Sequence, residues 1–483
     1  MRSMTSIPVS RNAIAPRDTR FMRPERAARH SGVLQPLDAE ISVIDLPVEG
    51  AIPPELDGLY VRNSFNPHPV LVGGDGALPH LFLGDGMIHG VRLAAGRACW
   101  YRNRWVRTES LAAATGQAAP PGPPDRRWVP HNPANLNVIV HAGRLLALCD
   151  VGMPYALSAE LETLGCYDFG GQLTANMSAH PKRDPATGEL HFVNYRPWRP
   201  WVTYFCADAA GRIVRSQAID VAGATAMHDF AVTQRFAVFI DQPLLFERPP
   251  RPGGGLPFCW DRGYTMRLGL LELHRSDAPV RWFEIEPCFI PHVLNAFDDG
   301  DTVVLRAVVS DPYYMTGDAP AAQACLGMHE WRIDLAGGRV AHDCLSDAPG
   351  ELPRLDERRV GRPHRFGYAA EIRLAQAWHA CGGLFKYDFV RDTVTRHEVG
   401  PHEMAAEPVF VPARASSGED EGWVLSFVYD ATTDRSALIV LDARRFAGAP
   451  LARITLPQRV PYGAHGSWVS QADLDAPPCQ SSR

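Results

Sequence analysis

Residues 386–399, KYDFVRDTVTRHEV, read as strand, tight turn and strand. Tyr387 and Phe389 share one face while Lys386 and Asp388 share the other, the period of two that a half-buried strand needs. The VRDT step carries an Asp of the kind turns favour, and 394–399 resumes the extended pattern. The same signature recurs outward along the chain. Leu190–Tyr195 (LHFVNY) follows a turn at 184–188, and 212–215 (RIVR) follows one at 208–211. Thr302–Val309 (TVVLRAVV) follows 298–301, and 423–429 (WVLSFVY) follows 419–422. The 42 prolines and 41 glycines are spread throughout and cut the chain into short pieces, and long helical periodicity is hard to find. Many short strands with no helical domain between them favour radial repetition over a single sandwich, so an all-β propeller is predicted. No tidy repeat of the tryptophan–aspartate kind is visible. Divided by seven, the chain leaves roughly 65–70 residues per unit, room for a four-stranded blade with long loops. Two stretches, 112–124 (AAATGQAAPPGPP) and 246–257 (FERPPRPGGGLP), are too rich in Pro and Gly for core and are expected to cap one face.

The bulk numbers exclude several classes. At 483 residues the chain needs two domains or one large closed architecture. A net charge of −6 leaves no electrostatic footprint for nucleic acid. Lys182 and Lys386 are the sole lysines, which reads as a coding bias. Ten cysteines are scattered from Cys99 to Cys479 without a C-x-x-C pair, so reduced thiols in a cytoplasmic protein are expected and a thiolate metal site is not. The arginine-rich opening lacks an apolar core and reads as a flexible tail, not a targeting peptide. No run of about 18 apolar residues is present to cross a bilayer.

Common catalytic signatures fail. There is no Walker loop, no G-x-S-x-G elbow and no G-x-G-x-x-G opening a helix. His402-Glu403 lacks the second histidine a zinc protease helix needs. Four histidines of the eighteen sit in short, unusual contexts: Ala179-His180-Pro181, Met227-His228-Asp229, Pro291-His292-Val293 and Ala464-His465-Gly466. Their separations, 48, 64 and 173 residues, cannot make a local finger-type site. In a propeller, however, one histidine per blade converges on the axis. Neutral imidazoles suit iron, copper or zinc.

These segments resemble the carotenoid cleavage oxygenase family, which includes lignostilbene dioxygenases and the retinoid isomerase of the eye. The likeness runs from about Asp45 to Val469. It is carried by Leu59-Tyr60-Val61-Arg62-Asn63, Gly84-Asp85-Gly86-Met87-Ile88-His89-Gly90 and Ala179-His180-Pro181-Lys182. Met227-His228-Asp229-Phe230, Glu407-Pro408-Val409-Phe410 and Pro461-Tyr462-Gly463 continue it. The resemblance implies a seven-bladed β-propeller with a dome of loops and helices over an axial Fe(2+). It maps the ligands onto His180, His228, His292 and His465, and supporting acids onto Glu351 and Glu407. A carboxylate accepting Nδ1–H fixes the tautomer and aims Nε2 at a metal.

Three departures stand out. The third acid, usually Glu, reads Asp150, one methylene shorter. The frequent Asn-Thr-Asn reads Asn135-Leu136-Asn137, which brings Leu136 near the open side of the metal. His-Trp-Phe-Asp-Gly-Asp-Gly reads His80-Leu81-Phe82-Leu83-Gly84-Asp85-Gly86. Phe65 and Tyr101 join Leu136 as expected substrate-pocket residues. The implied reaction is O2-dependent scission of a conjugated C=C bond into two carbonyls, with no general base. A carotenoid or apocarotenoid is the leading substrate, and a stilbene or other phenylpropanoid the alternative. Rival readings are an isomerase using iron as a Lewis acid and a silent propeller binding apolar ligands. Peripheral contact with a membrane surface is assigned to 246–257 with Leu244 and Leu245. The expected layout is a flexible tail over 1–38, a single propeller over 39–472 and a second tail over 473–483.

Overall fold

The hairpin that opened the reading is present: Cys381–Asp388 pairs antiparallel with Thr393–His397, Asp388 opposite Thr393. Asp388 accepts the backbone N–H groups of Val390 and Arg391 and so fixes the turn. The computed structural model describes residues 32–71, 81–247, 256–316, 326–372, 381–415 and 417–479. Seven antiparallel sheets surround one axis as the blades of a propeller. Blade 2 begins with Asn137–His141, blade 3 with Lys182–Arg183, blade 4 with Ala231–Val232, blade 5 with Val293–Asp299 and blade 6 with Gly350–Arg354. Blade 7 is built on Gly422–Asp430, which pairs with both Glu403–Ala405 and Val409–Pro412. At the axis the leading strands of blades 1 and 2, 4 and 5, 5 and 6, and 7 and 1 touch.

The ring is closed by exchange between distant parts of the chain. Gly466–Ser470 pairs with Gly58–Phe65 in blade 1, and Val48–Gly50 adds to Ala452–Thr455 in blade 7. Closure of this kind leaves no open sheet at the seam. The apolar core is correspondingly divided among blade interfaces. One cluster lies between blades 4 and 5, with Leu268, Leu305 and Trp331. Another joins blades 1 and 7 through Tyr60, Leu425 and Phe427.

The tail boundaries differ from the sequence reading. Within 32–38, Val33 is buried against Met404 and Tyr429, and Leu37 against Met87 and Trp105. Beyond 472, Pro477 and Cys479 lie across the hairpin of blade 2. Gly143 has φ +70°, and a Cβ there would come within 2.4 Å of the Pro477 carbonyl. Short apolar anchors in otherwise polar segments account for both docked ends. Residues 1–31, the bulk of the first tail, lie outside the described residues.

The two loops expected to cap one face also part company. Residues 112–114 end a helix, Glu109–Ala114, and Pro121 accepts the Cys166 N–H at the outer strand of blade 2. That stretch braces a blade edge. Leu256 and Pro257, by contrast, line the cavity over the axis; 248–255 lie outside the described residues. No helix of the described residues is long and apolar enough to cross a membrane.

Candidate metal centre and its two faces

His180, His228, His292 and His465 each sit just before the leading strand of a blade: 3, 4, 5 and the closing strand of 1. Strand starts crowd the axis, so residues far apart in sequence meet there. Ring centroids lie 4.3 Å apart for His180 and His228, 4.5 Å for His180 and His465, and 4.9 Å for His292 and His465. The ligand atoms of His180, His228 and His292 lie within 4.8 Å of one another.

Three rings are held from behind. Asp150 Oδ2 accepts His228 Nδ1–H at 2.5 Å, Glu351 Oε2 accepts from His292 Nδ1 at 2.8 Å, and Glu407 Oε1 from His465 Nδ1 at 2.8 Å. Asp150 thus reaches its imidazole directly despite the shorter side chain. It also accepts the Ala179 N–H and the Tyr195 hydroxyl, so it orders the segment that delivers His180. Glu351 stands at a register break in blade 6, where an irregular strand turns a side chain toward the axis. Glu407 is fixed by the Gly466 N–H and by Arg354.

The fourth ring differs. His180 Nδ1 is 3.9 Å from Asp229 Oδ2, beyond hydrogen-bond range, while Asp229 binds Lys182 at 2.7 Å and the Val293 N–H at 2.8 Å.

Electrostatics follow from this arrangement. Burial, then the neighbouring imidazoles, push the His180 pKa well below its ordinary value, so the ring is neutral. Burial likewise lowers His465, against the pull of Glu407. Burial also opposes charge on His292, but Glu351 outweighs it and leaves that pKa raised. Burial works against ionisation of Glu407 too, yet Arg354 and His465 hold its pKa at about 2.

The donor set fits a metal ion. With carboxylates on Nδ1, the Nε2 lone pairs point inward. His465 Nε2 is buried with no hydrogen-bond partner among the described residues. His180 Nε2 and His228 Nε2 are 2.9 Å apart. Two nitrogens bound at right angles to one ion at about 2.1 Å stand about 3 Å apart, so this spacing suits adjacent ligands.

The site opens in two directions. On one side a cavity of about 490 Å³ reaches His228, His292 and His465 past Phe65, Leu136, Trp128, Phe258 and Phe289. On the other a space of about 420 Å³, mixed in lining and more polar than the first, reaches His180, His292 and His465 among Lys182, Asp229, Arg354 and Glu357. Phe65 and Leu136, expected in the substrate pocket, line the first of these spaces. Leu136 also accepts the His465 N–H through its carbonyl.

Tyr101 is a correction. It does not line the cavity but is buried inside blade 1, its hydroxyl 2.9 Å from His89 Nδ1 and 3.1 Å from Gln458. Its strand lies two strands out from the one bearing the closing pair, too far from the axis. His80, quoted with the departures, lies outside the described residues. Tyr195 and Asp229 were missed. Asp229 directly follows a ligand candidate, which was the available signal; nothing local marked Tyr195.

The family model of the retinal pigment epithelial membrane protein matches residues 34–470. The chain belongs to this family. The relatives it matches are named as oxygenases and dioxygenases, and it is they that make this chain an oxygenase. A carotenoid cleavage oxygenase of Mycobacterium tuberculosis is 36% identical over 91% of this chain and 96% of its own. A carotenoid 9,10(9',10')-cleavage dioxygenase of Arabidopsis thaliana is 31% identical over 92% and 90%. Among solved structures, the lignostilbene dioxygenase of Pseudomonas brassicacearum superposes with a TM-score of 0.82 at 29% identity, over 92% and 98% of the two chains. A cobalt-substituted Synechocystis ACO gives 0.77 at 27% identity, over 90% and 97%.

Proposed function

We propose that this protein is a mononuclear iron(II) dioxygenase that splits a conjugated C=C bond of a carotenoid or apocarotenoid into two carbonyl products. The observation that carries the reading is the convergence of four imidazoles, three fixed by buried carboxylates, at the inner end of an apolar cavity. His180, His228, His292 and His465 would hold the ion. Bound iron(II) supplies the redox chemistry through which both atoms of O2 enter the products.

The rest is the work of this chain's own side chains. Asp150, Glu351 and Glu407 keep the Nδ1 protons in place and stop the rings from turning. Four neutral nitrogens and no carboxylate ligand leave the charge of the centre at that of the metal. Phe65, Leu136 and Phe289 exclude water and bound the space in which a flat polyene would lie. A volume near 490 Å³ falls in the ordinary range for small-molecule sites. No proton needs to be moved to convert an alkene and O2 into two carbonyls, so the three carboxylate–imidazole pairs at the inner end are left to hold the rings.

The structural likeness to a lignostilbene dioxygenase supports stilbene scission as a second reading. Activating a phenolic stilbene calls for a cation beside its hydroxyl, and neither lysine is free to serve the cavity: Lys182 binds Asp229 and Lys386 binds Asp420. The test is to load the protein with Fe(II) and incubate it in air with carotenoids, apocarotenals, resveratrol-type stilbenes and isoeugenol. Aldehydes from the polyenes alone, dependent on iron and O2, are expected. Aldehydes from the stilbenes alone would reverse the order of the two readings. Labelled O2 that fails to enter the products would turn the assignment to an isomerase.

A further inference from the structure

Apart from the imidazoles at its inner end, the cavity wall contains one more among the described residues, His131. Its side chain is partly exposed at 28%, and Nε2 lies 2.7 Å from Asp85 Oδ1. Asp85 is itself only 2% exposed. It is held in place from both sides: Oδ2 accepts the His68 N–H at 2.7 Å, and its backbone carbonyl accepts the Asn66 N–H. The carboxylate therefore accepts a hydrogen bond from Nε2–H and sets the tautomer, which leaves Nδ1 as an acceptor. Nδ1 has no hydrogen-bond partner among the described residues. Pro130 and Pro133 flank the residue and stiffen it, and the Pro133 carbonyl is tied to the Gly86 N–H. The acceptor is thus built in advance, by a buried anion and a rigid backbone, into a wall that is otherwise mostly hydrocarbon.

A ligand with a purely hydrocarbon end would strip water from Nδ1 and return nothing. A ligand with a hydroxyl there donates a hydrogen bond. We propose that His131, positioned by Asp85, accepts a hydrogen bond from a hydroxyl on the ring of the bound alkene, so that the preferred substrates are hydroxyl-ended conjugated alkenes. This rests on the reading of the cavity as the substrate site. The same chemistry is offered by a hydroxylated apocarotenoid ring and by a phenolic stilbene, and the experiment separates the two.

The full chain, iron-loaded and kept under argon so that no turnover occurs, is titrated with matched ligand pairs while tryptophan fluorescence is followed; Trp128 lines the cavity. One pair is a 3-hydroxy-apocarotenal and its deoxy twin, the other 4-hydroxystilbene and stilbene. In at least one pair the hydroxylated member should bind about tenfold tighter. The pair that shows the ratio names the source. His131→Phe should bring that ratio to about one, and His131→Gln, which keeps an acceptor, should retain most of it. Equal affinities within both pairs in the unaltered protein overturn the proposal, as does a ratio that survives His131→Phe. Because binding is read without oxygen, a protein that discriminates the twins but forms no aldehyde in air sinks the dioxygenase reading alone. Aldehyde formation with equal affinities sinks the His131 proposal alone.

Discussion

The four imidazoles present two unlike faces. Toward the dome, His228 borders a wall of Phe65, Leu136, Trp128 and Phe289; toward the far end of the axis, His180 borders Lys182, Asp229 and the Arg354–Glu407 pair. The apolar face accepts a hydrophobic guest because little there must be desolvated. The second face carries charges, of which Lys182 and Asp229, and Arg354 and Glu407, are paired. One centre can thus be dry toward its substrate and wet behind. The carboxylates follow a related division: the three rings that border the apolar cavity are clamped, and the ring that faces only the ionic side is not.

Removing a ring on the apolar face should have the largest effect. His228→Ala is expected to abolish both iron retention and aldehyde formation, read by metal analysis and a product assay. Retained iron with full turnover would end the assignment of that ring as a ligand.

The next test sets clamp against clamp. Glu351→Gln or Asp150→Asn should weaken iron binding or turnover by about 10–100-fold. Asp229→Asn should cost several-fold at most, since no hydrogen bond reaches His180 from it. Equal losses in all three would erase the distinction between the faces. Leu136→Ala is a smaller change on the apolar side alone. It should raise KM for an apolar substrate by about tenfold, the loss of one partly buried branched side chain, with iron content unchanged.

The smallest expected effect lies outside both faces. Arg365 hydrogen-bonds Asp388 and, against burial, holds its carboxyl at about 2. A carboxyl depressed in the folded state stabilises the fold above its unfolded value, about 4, and loses that contribution as pH falls toward 2. Asp388→Asn should therefore lower Tm at neutral pH by no more than about 2 °C and flatten the acid limb of the stability curve between those values. Turnover should be untouched, which makes this variant the control for the other five.

Much of this was legible beforehand, for physical reasons that differ by residue. The hairpin at 386–399 and the strand Thr302–Val309 are local patterns, and period-two alternation with turn residues suffices to read them. The four histidines formed a set only through the family resemblance, and the fold brings each to the axis from a strand start. Tyr101 was not legible, since alternation gives a strand's faces but not its distance from the axis. His131 and Tyr195 were not either: each matters through a partner, Asp85 or Asp150, that lies 46 or 45 residues away. Whether Asp150 would reach His228 depended on backbone placement to a fraction of an ångström, which no residue pattern encodes.

The closing strand has a consequence for how the centre is assembled. His465 is synthesised 173 residues after His292 and enters the axis only when Gly466–Ser470 zips onto Gly58–Phe65. Three rings can therefore be in place while the cage still lacks a corner, and the last corner arrives with the clasp that joins the ends of the ring. If the proposed ion is iron, its retention becomes a reporter of a finished circle: a molecule whose seam has come undone should lose the metal before any blade has melted.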